Sequence, residues 1–195
     1  MSYTSFNADL AKMINGLYSE LGEARGLIYH LADHTDRVRR SSYFIAKKEL
    51  VSYENMRLLN AASLVHDIGN IVSREGHEEL SAEFAKTNLP YFGFNSQEIE
   101  LISGMVMATK IPQQPTTLLE MILVDADMSL LGDLNWPTEI DKYRLEIGRL
   151  DLPKWYNEQI SFLENHKWFT QGAKDIYETE KNLNIEWLKQ FYSAV

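Results

Sequence analysis

The sequence predicts an all-α protein of 195 residues, and three observations support this fold class. Apolar residues recur at intervals of three and four over most of the chain, which is the spacing of one face of a helix. Asn95 with Glu98, and Thr117 with Glu120, have the spacing of a helical capping box. No segment shows sustained alternation of β-branched residues with a period of two, so we expect no sheet.

The predicted helices follow one another with short breaks. The first ends before Gly22, and the second spans about Leu27–Leu50. Ser52 caps the third helix, and Gly69 ends it. Further helices are expected over about His77–Asn88, after each capping box, from Asp151-Pro153 and around Ile176, Leu183 and Trp187.

These helices are expected to form one domain over residues 1–195. Its core covers about residues 25–135, and a C-terminal helical annex covers about residues 137–195. Hydrophobic residues make up 45% of the chain, enough for a sizeable core. The aromatic residues of the annex, among them Trp155, Trp168 and Trp187, are expected to form either core or the face of a homodimer.

Composition excludes several classes of function. The net charge of −9 argues against long nucleic acid as a partner, and it requires a phosphate ligand to meet its positive charge locally. The absence of cysteine excludes disulfides, zinc thiolates and a thiol nucleophile. Residues 1–21 lack the pattern of a signal peptide, and no segment reaches the roughly 20 apolar residues of a membrane helix. We therefore expect a cytoplasmic protein without membrane contact.

The dipeptide His66-Asp67 offers one nitrogen and one oxygen ligand to a divalent ion. Adjacent helical residues point about 100° apart, so both side chains reach one ion only near a helix end. A His-Asp pair alone is more often a surface histidine beside a capping acid, but His34 precedes it on another helix. Asp125 and Asp127 follow it within an apolar segment, where carboxylates are rare unless they are paired or bound to metal. The alternative is that one of these acids is exposed and the other forms a salt bridge.

The order of His34, His66-Asp67 and Asp127 resembles the metal-binding signature of the HD-domain phosphohydrolase superfamily. The residues around these positions resemble those of one uncharacterised bacterial branch of predicted HD hydrolases. The resemblance covers about residues 25–132 and, more loosely, the tail to residue 189. The segments that carry it are YHLADHT at residues 29–35, LVHDIG at 64–69, EELSA at 78–82 and DADMSLLG at 125–132.

This resemblance implies an HD-domain helical bundle with a C-terminal extension that binds one divalent metal ion. The ligands it implies are His34, His66, Asp67 and one downstream acid, for which Asp127 is favoured over Asp125 because the family's ligand usually follows a small residue. The ion is Mn, Fe, Co, Ni, Zn or Mg, without a choice among them. Residues 107–110 lack the histidines of binuclear branches, which favours a single metal. Asp67 or Asp125 is expected to help activate water. Asp125 is also a candidate for orienting a water molecule or a ligand histidine from outside the ligand set.

Five further residues are candidates for substrate contact. His30 is placed one helical turn before His34, with a hydrogen-bonded packing histidine as the alternative. Arg37, Arg74 and Lys110 are the local cations for a phosphate, and His77 is a phosphate or water contact, although each is commonly a surface charge.

The resulting hypothesis is a metal-dependent hydrolase that cleaves a phosphate ester or anhydride of a small molecule, foremost a nucleotide, with metal-activated water. One alternative is a non-catalytic module that binds a nucleotide or signalling phosphate. A less favoured alternative is an iron-dependent oxygenase of HD-like fold, which needs a second iron and more histidines than the sequence places.

Overall fold

The computed structural model describes residues 6–192, apart from the side chains of Glu23 and Phe191, and no strand occurs among the residues it describes. The all-α prediction is therefore confirmed. The α-helices of this part of the chain are α1 (Ala8–Leu17), α2 (Ala32–Lys48), α3 (Tyr53–Val65), α4 (His77–Asn88), α5 (Ser96–Ala108), α6 (Leu118–Asp127), α7 (Trp136–Glu146), α8 (Leu152–Asn165) and α9 (Gln171–Tyr192).

Short helical turns connect several of these helices. Two of them matter for the site, because the 3-10 turns Ile68–Ile71 and Met128–Gly132 directly follow Asp67 and Asp127. Each of the two acids thus lies where one helical segment gives way to the next. The other turns are a π-helical turn at Tyr18–Gly22 and 3-10 turns at Glu23–Arg25 and Leu89–Phe92.

The helix starts predicted from capping residues are confirmed. Asn95 and Thr117 each accept a hydrogen bond from the backbone N–H of the third helical residue, and the glutamate there bonds back to the cap, which completes both capping boxes. Ser52 and Asp151 begin α3 and α8 by accepting a backbone N–H three residues further on.

The predicted start of the second helix is wrong by several residues, since α2 begins at Ala32. The backbone N–H groups of Ile28, Tyr29 and His30 all donate to one oxygen of Glu146, over 2.7, 2.7 and 3.1 Å. These amides converge on a carboxylate of α7, and the segment before Ala32 is irregular. His30 therefore precedes α2 and is not one turn before His34 on the same helix.

Gly69 does not end α3, which already ends at Val65; it lies within the following 3-10 turn. A Cβ atom at Gly69 would lie only 2.2 Å from the carbonyl oxygen of His77. Glycine is required here because the start of α4 approaches the backbone too closely for a side chain. This close approach places His77 beside the His66-Asp67 dipeptide.

Two hydrophobic clusters hold the helices together. The first lies among α1 to α6, where α2 packs against α3 and α6, and α5 packs against α3, α4 and α6. The second joins Leu130 and Leu131 of the 3-10 turn to the C-terminal annex, formed here by α7, α8 and α9. Ala173 of α9 is buried in the first cluster, so α9 contacts both. Between residues 6 and 192, no helix has the length and apolar content needed to cross a membrane.

Asp125 joins α6 to the start of α9. Its side chain is fully buried, and its two oxygens accept hydrogen bonds from the backbone N–H groups of Phe169 and Thr170 and from the Thr170 hydroxyl, over 2.7–2.9 Å. Thr170 directly precedes α9. Asp125 thus binds the start of the last helix, which explains a carboxylate in this apolar segment. The three hydrogen bonds from Phe169 and Thr170 offset the hydration that the carboxylate loses on burial.

Replacing Asp125 should weaken the fold. We expect Asp125→Asn to lower the free energy of unfolding by about 2 kcal/mol, because a neutral amide accepts fewer and weaker hydrogen bonds from the same donors. Urea denaturation measures this difference. Asp175→Asn, in an exposed acid of α9 that pairs with Lys48, is the control and should lower the urea midpoint much less, because exposed ion pairs contribute little. A urea midpoint of Asp125→Asn equal to that of the wild type would contradict the role of Asp125 in binding the start of α9.

Candidate metal centre

Four side chains from three helical segments meet at one point. His34 is the third residue of α2, His66 and Asp67 directly follow α3, and Asp127 is the last residue of α6. Each offers one nitrogen or oxygen atom, and these four atoms all lie within 4.8 Å of one another. The sequence prediction placed His66-Asp67 near a helix end, and the structure has them there.

The distances within the cluster are short. His34 Nε2 lies 3.2 Å from His66 Nε2, 3.1 Å from Asp67 Oδ2 and 3.3 Å from Asp127 Oδ1. His66 Nε2 lies 3.4 and 3.5 Å from the same two carboxylate oxygens. The two imidazole nitrogens and two carboxylate oxygens therefore face a common centre.

Hydrogen bonds outside the cluster orient both histidine rings. His66 Nδ1 donates to the carbonyl oxygen of Ser63 over 2.9 Å, which leaves Nε2 to face the carboxylates. Arg37 Nη2 lies 2.9 Å from His34 Nδ1 and also donates to the Tyr29 hydroxyl. Arg37 thus contacts the ring of His34 from the side opposite the cluster. This contact is a hydrogen bond when the proton of neutral His34 is on Nε2, and a metal ligand through Nε2 carries that proton on Nδ1 instead.

The electrostatics of the cluster favour a cation at its centre. Burial lowers the pKa of His66, but the charges and hydrogen bonds of Asp67 and Asp127 outweigh it and hold that pKa well above its ordinary value. Burial raises the pKa of both carboxyls, but the adjacent histidines, His66 foremost for Asp67 and His34 for Asp127, hold each pKa below its ordinary range. The two acids stay ionised and stabilise positive charge beside them.

The donor set fits a divalent metal ion. With metal–ligand bonds of about 2.0–2.2 Å, neighbouring ligand atoms lie about 3.0–3.5 Å apart. The separations of 3.1–3.5 Å between the histidine nitrogens and the carboxylate oxygens agree with this spacing. Two neutral imidazoles and two carboxylates also balance the charge of such an ion, and this mixed set suits the transition metals.

Two more histidines lie on the other sides of Asp67. His77 Nε2 is 3.3 Å from Asp67 Oδ1, and its Nδ1 donates to the carbonyl oxygen of Arg74. Burial lowers the pKa of His77, but the contact with Asp67 outweighs this and raises it. His30 Nε2 lies 3.8 Å from Asp67 Oδ2, while its Nδ1 makes a short hydrogen bond to Glu146. Both rings are therefore fixed beside the cluster of His34, His66, Asp67 and Asp127.

A cavity of about 540 Å³ opens at the cluster. Asp67, Asp127, His30 and His77 line it, whereas His34 and His66 are buried and do not. A carboxylate face on one side and two imidazoles beside it suit the binding of a cation together with an anionic group. The cavity size lies in the usual range of small-molecule sites.

The predicted substrate residues separate into two groups. His30, Arg74 and His77 line the cavity. Arg37 is directed at His34 and Tyr29 and forms an ion pair with Glu139 at 3.6 Å, and Lys110 forms an exposed ion pair with Glu79. Arg37 and Lys110 are not among the lining residues.

The expectation that Asp125 activates water or orients a ligand histidine needs correction. Both of its oxygens are occupied by Phe169 and Thr170, on the side of α6 that faces α9. Residues two apart on a helix point about 200° apart, so Asp127 faces the cluster while Asp125 faces away from it. The preference for Asp127 in the cluster agrees with this geometry.

Several residues of the site were not among the predicted ones. Glu146 holds His30, and Tyr143 packs its ring 5.6 Å from that of His30. Arg74, which was predicted as a cation for phosphate, donates to the Tyr143 hydroxyl. Trp155 was expected in the core or a dimer face, and it is buried but also lines the cavity. The sequence gives no local signal for Glu146, because an acid among the polar residues of a short helix reads as a surface charge.

Comparison with known proteins supports the fold. The chain is similar to a crystal structure described as a predicted HD superfamily hydrolase from an uncultured Thermotogales bacterium, with a TM-score of 0.68 and 20% sequence identity. The match covers 96% of this chain and 91% of the other. Comparisons with protein-family models and with curated proteins found no match. The HD-type helical fold implied by the sequence motifs is thus confirmed at the level of the fold.

The choice between the two acids of α6 can be tested by metal analysis. We expect Asp127→Asn to lose at least about nine tenths of the metal bound by the wild type at a fixed low concentration of Mn²⁺, since ligand loss weakens such sites strongly. Asp125→Asn, outside the cluster, should retain it. Titration with Mn²⁺ followed by elemental analysis of the desalted protein measures both. Metal loss from Asp125→Asn at unchanged folding would contradict the placement of the two acids.

The hydrogen bonds of Glu146 predict a pH dependence of stability. Burial raises the pKa of Glu146, but the hydrogen bonds from His30 and from the Tyr29 and Ile28 amides outweigh it and lower the pKa to about 2. A lowered pKa in the folded state means that ionised Glu146 stabilises the fold above its ordinary pKa of 4.5, and that this contribution is lost as the pH falls toward 2.

The corresponding measurement compares the wild type with Glu146→Gln. The difference in free energy of unfolding, from urea titrations, should be constant above about pH 5 and shrink steadily below about pH 4.5. A difference that stays constant down to pH 2.5 would show that the carboxylate charge of Glu146 contributes no stability.

Proposed function

We propose that the protein is a metal-dependent phosphohydrolase that cleaves a phosphate ester or anhydride of a small molecule. The observation that carries this proposal is the cluster of His34, His66, Asp67 and Asp127 at the wall of an open cavity. The similar structure is described as a predicted HD superfamily hydrolase, which agrees with a hydrolytic reaction. A module that only binds its ligand has less need of four metal-binding side chains beside the ligand cavity.

The four clustered side chains would hold the ion. A divalent ion bound by such a set lowers the pKa of a coordinated water and neutralises negative charge on a phosphoryl oxygen. Asp67 serves here as a ligand, since its low pKa makes it a weak base; a part in activating water stays a prediction.

The cavity also offers residues for the phosphate itself. His77 lies 3.3 Å from Asp67, which raises the pKa of the imidazole, and its ring lines the cavity. Arg74 lines the same cavity, with its guanidinium fixed by the Tyr143 hydroxyl at 3.0 Å. Positioned cations of this kind bind phosphate oxygens and stabilise the charge of the transition state. They meet the local need for positive charge in a protein of net charge −9.

His30 is suited to handle a proton at the leaving group. Glu146 binds its Nδ1, which fixes the ring and directs Nε2 toward the cavity side of Asp67. An imidazole oriented by a buried carboxylate is a common arrangement for general acid–base catalysis. His30 would donate its Nε2 proton to the departing alkoxide oxygen as the P–O bond breaks.

The proposal is tested by turnover of phosphate esters and anhydrides. The HD resemblance makes nucleotides candidate substrates, so nucleoside mono- and triphosphates belong in the panel beside simple monoesters. We expect metal-dependent release of phosphate that His66→Ala and Asp67→Ala reduce at least about a hundredfold, because each removes a ligand of the ion. Phosphate release and bound metal are measured on the same samples.

Two results would count against the proposal. If the His66 and Asp67 variants bound as much metal and turned over substrate as fast as the wild type, the cluster would be excluded as the active site. Tight binding of a nucleotide without turnover at any divalent metal would instead support the binding module.

A further inference from the structure

The cavity extends well beyond what a phosphate group requires. At about 30 Å³ for each water, its 540 Å³ would hold about 18 waters. A phosphoryl group and the water that attacks it occupy only a small part of this volume. The remaining space would hold the part of the substrate to which the phosphate is attached. The residues that line this space therefore indicate the chemistry of that part.

Apolar and aromatic side chains line most of this remaining space. Leu130, Leu131, Ile140 and Trp155 belong to the second hydrophobic cluster, so the cavity runs along that cluster's surface. The other apolar lining residues of the same region are Met128, Tyr143, Ile147 and Phe162. Most of this wall comes from the C-terminal annex, whereas the metal cluster comes from α2, α3 and α6.

A series of rings leads from the metal cluster to the annex. The ring of His30, beside Asp67, lies 5.6 Å from that of Tyr143, and Tyr143 lies 6.0 Å from Trp155. Trp155 begins the α8 side of the cavity, and Phe162 continues it two turns further along the helix. Flat, apolar surfaces of this kind favour a ring in the ligand, because stacked and edge-to-face contacts add to the burial of apolar area.

Polar groups on this wall are outnumbered by apolar ones. Arg149 and Glu158 pair with each other at 3.3 Å and are partly exposed. Gln159 is buried, and the indole N–H of Trp155 is buried without a hydrogen-bond partner. These groups can bind a few polar atoms of a ligand, but most of a polyhydroxylated group such as a sugar would lie against apolar side chains and lose water without replacement, which is unfavourable.

We propose that the preferred substrate is a phosphate monoester of an apolar, ring-bearing alcohol, whose ring lies against Tyr143, Trp155 and Phe162. This proposal rests on the proposed phosphohydrolase function and specifies its substrate class. The annex then acts as the specificity-determining part of the site, and the metal cluster acts on any phosphate that reaches it.

The first test compares monoesters whose leaving alcohols have similar reactivity. The Mn²⁺-loaded protein is assayed with 2-phenylethyl phosphate, sn-glycerol 3-phosphate and adenosine 5′-monophosphate. We expect kcat/KM for 2-phenylethyl phosphate to exceed that for each of the other two at least about tenfold. Equal values, or a higher value for the nucleotide, would overturn the proposal.

The second test uses variants of the wall with a matched control. Phe162→Ala should raise KM for 2-phenylethyl phosphate about fivefold and leave the kcat/KM for glycerol phosphate within about twofold. Ile147→Ala, in the half-buried part of the wall, should act in the same direction. Phe169→Ala is the control, because Phe169 is as exposed as Phe162, at 43% against 42%, and does not line the cavity. An equal loss for both esters in Phe162→Ala would contradict the proposal.

A binding measurement separates this inference from the hydrolytic reaction. 3-Phenylpropylphosphonate and methylphosphonate carry the same head group and cannot be hydrolysed at phosphorus. Calorimetric titration of the Mn²⁺-loaded protein should give at least about tenfold tighter binding of the phenylpropyl compound, and Phe162→Ala should reduce this preference. Such a preference without turnover of any ester would reject the hydrolase and retain the apolar compartment. Equal affinities would reject the compartment, whatever the turnover.

Discussion

The structure depends on one electrostatic constraint, the placement of the largely buried carboxylates of Asp67 and Asp127 beside each other at the wall of the cavity. Two carboxylates this close repel one another and lose part of their hydration, so they need positive charge between them. The first turn of α2 and the end of α3 meet that need by delivering His34 and His66 to the point where α6 delivers Asp127. The ends of α3 and α6 and the first turn of α2 must therefore coincide, and the packing of α2 against α3 and α6 fixes that meeting point.

The C-terminal annex takes part in the same electrostatics. Glu146, at the end of α7, fixes His30 and the backbone before α2. Glu139, on the same helix, pairs with Arg37, which in turn holds His34. Helix α7 thus contacts His30 directly and His34 through Arg37, on different sides of the four-residue cluster. This double contact explains how an element outside the ligand set can both orient the site and line its cavity.

The sequence was sufficient where the signals are local. Capping residues such as Asn95 mark helix starts because their bonds span three residues. The four residues that meet were predicted in another way, from the resemblance of their order along the chain to the HD signature. The sequence was insufficient where the decisive partner is remote. The segment before α2 is bound by Glu146, more than a hundred residues away, and Lys110 pairs with Glu79 outside the cavity. No periodicity or composition reports such contacts, because they exist only once the helices are packed.

The two acids of α6 show why an apolar setting alone could not identify the ligand. An enclosed carboxylate requires compensation, and both acids have it, but from different partners: Asp127 from two histidines, Asp125 from the amides and hydroxyl before α9. Because they lie about 200° apart on one rigid helix, a rotation of α6 that improved one set of contacts would worsen the other. The docking of α9 and the placement of Asp127 in the four-residue cluster are therefore satisfied by a single orientation of α6, and each stabilises the orientation that the other needs.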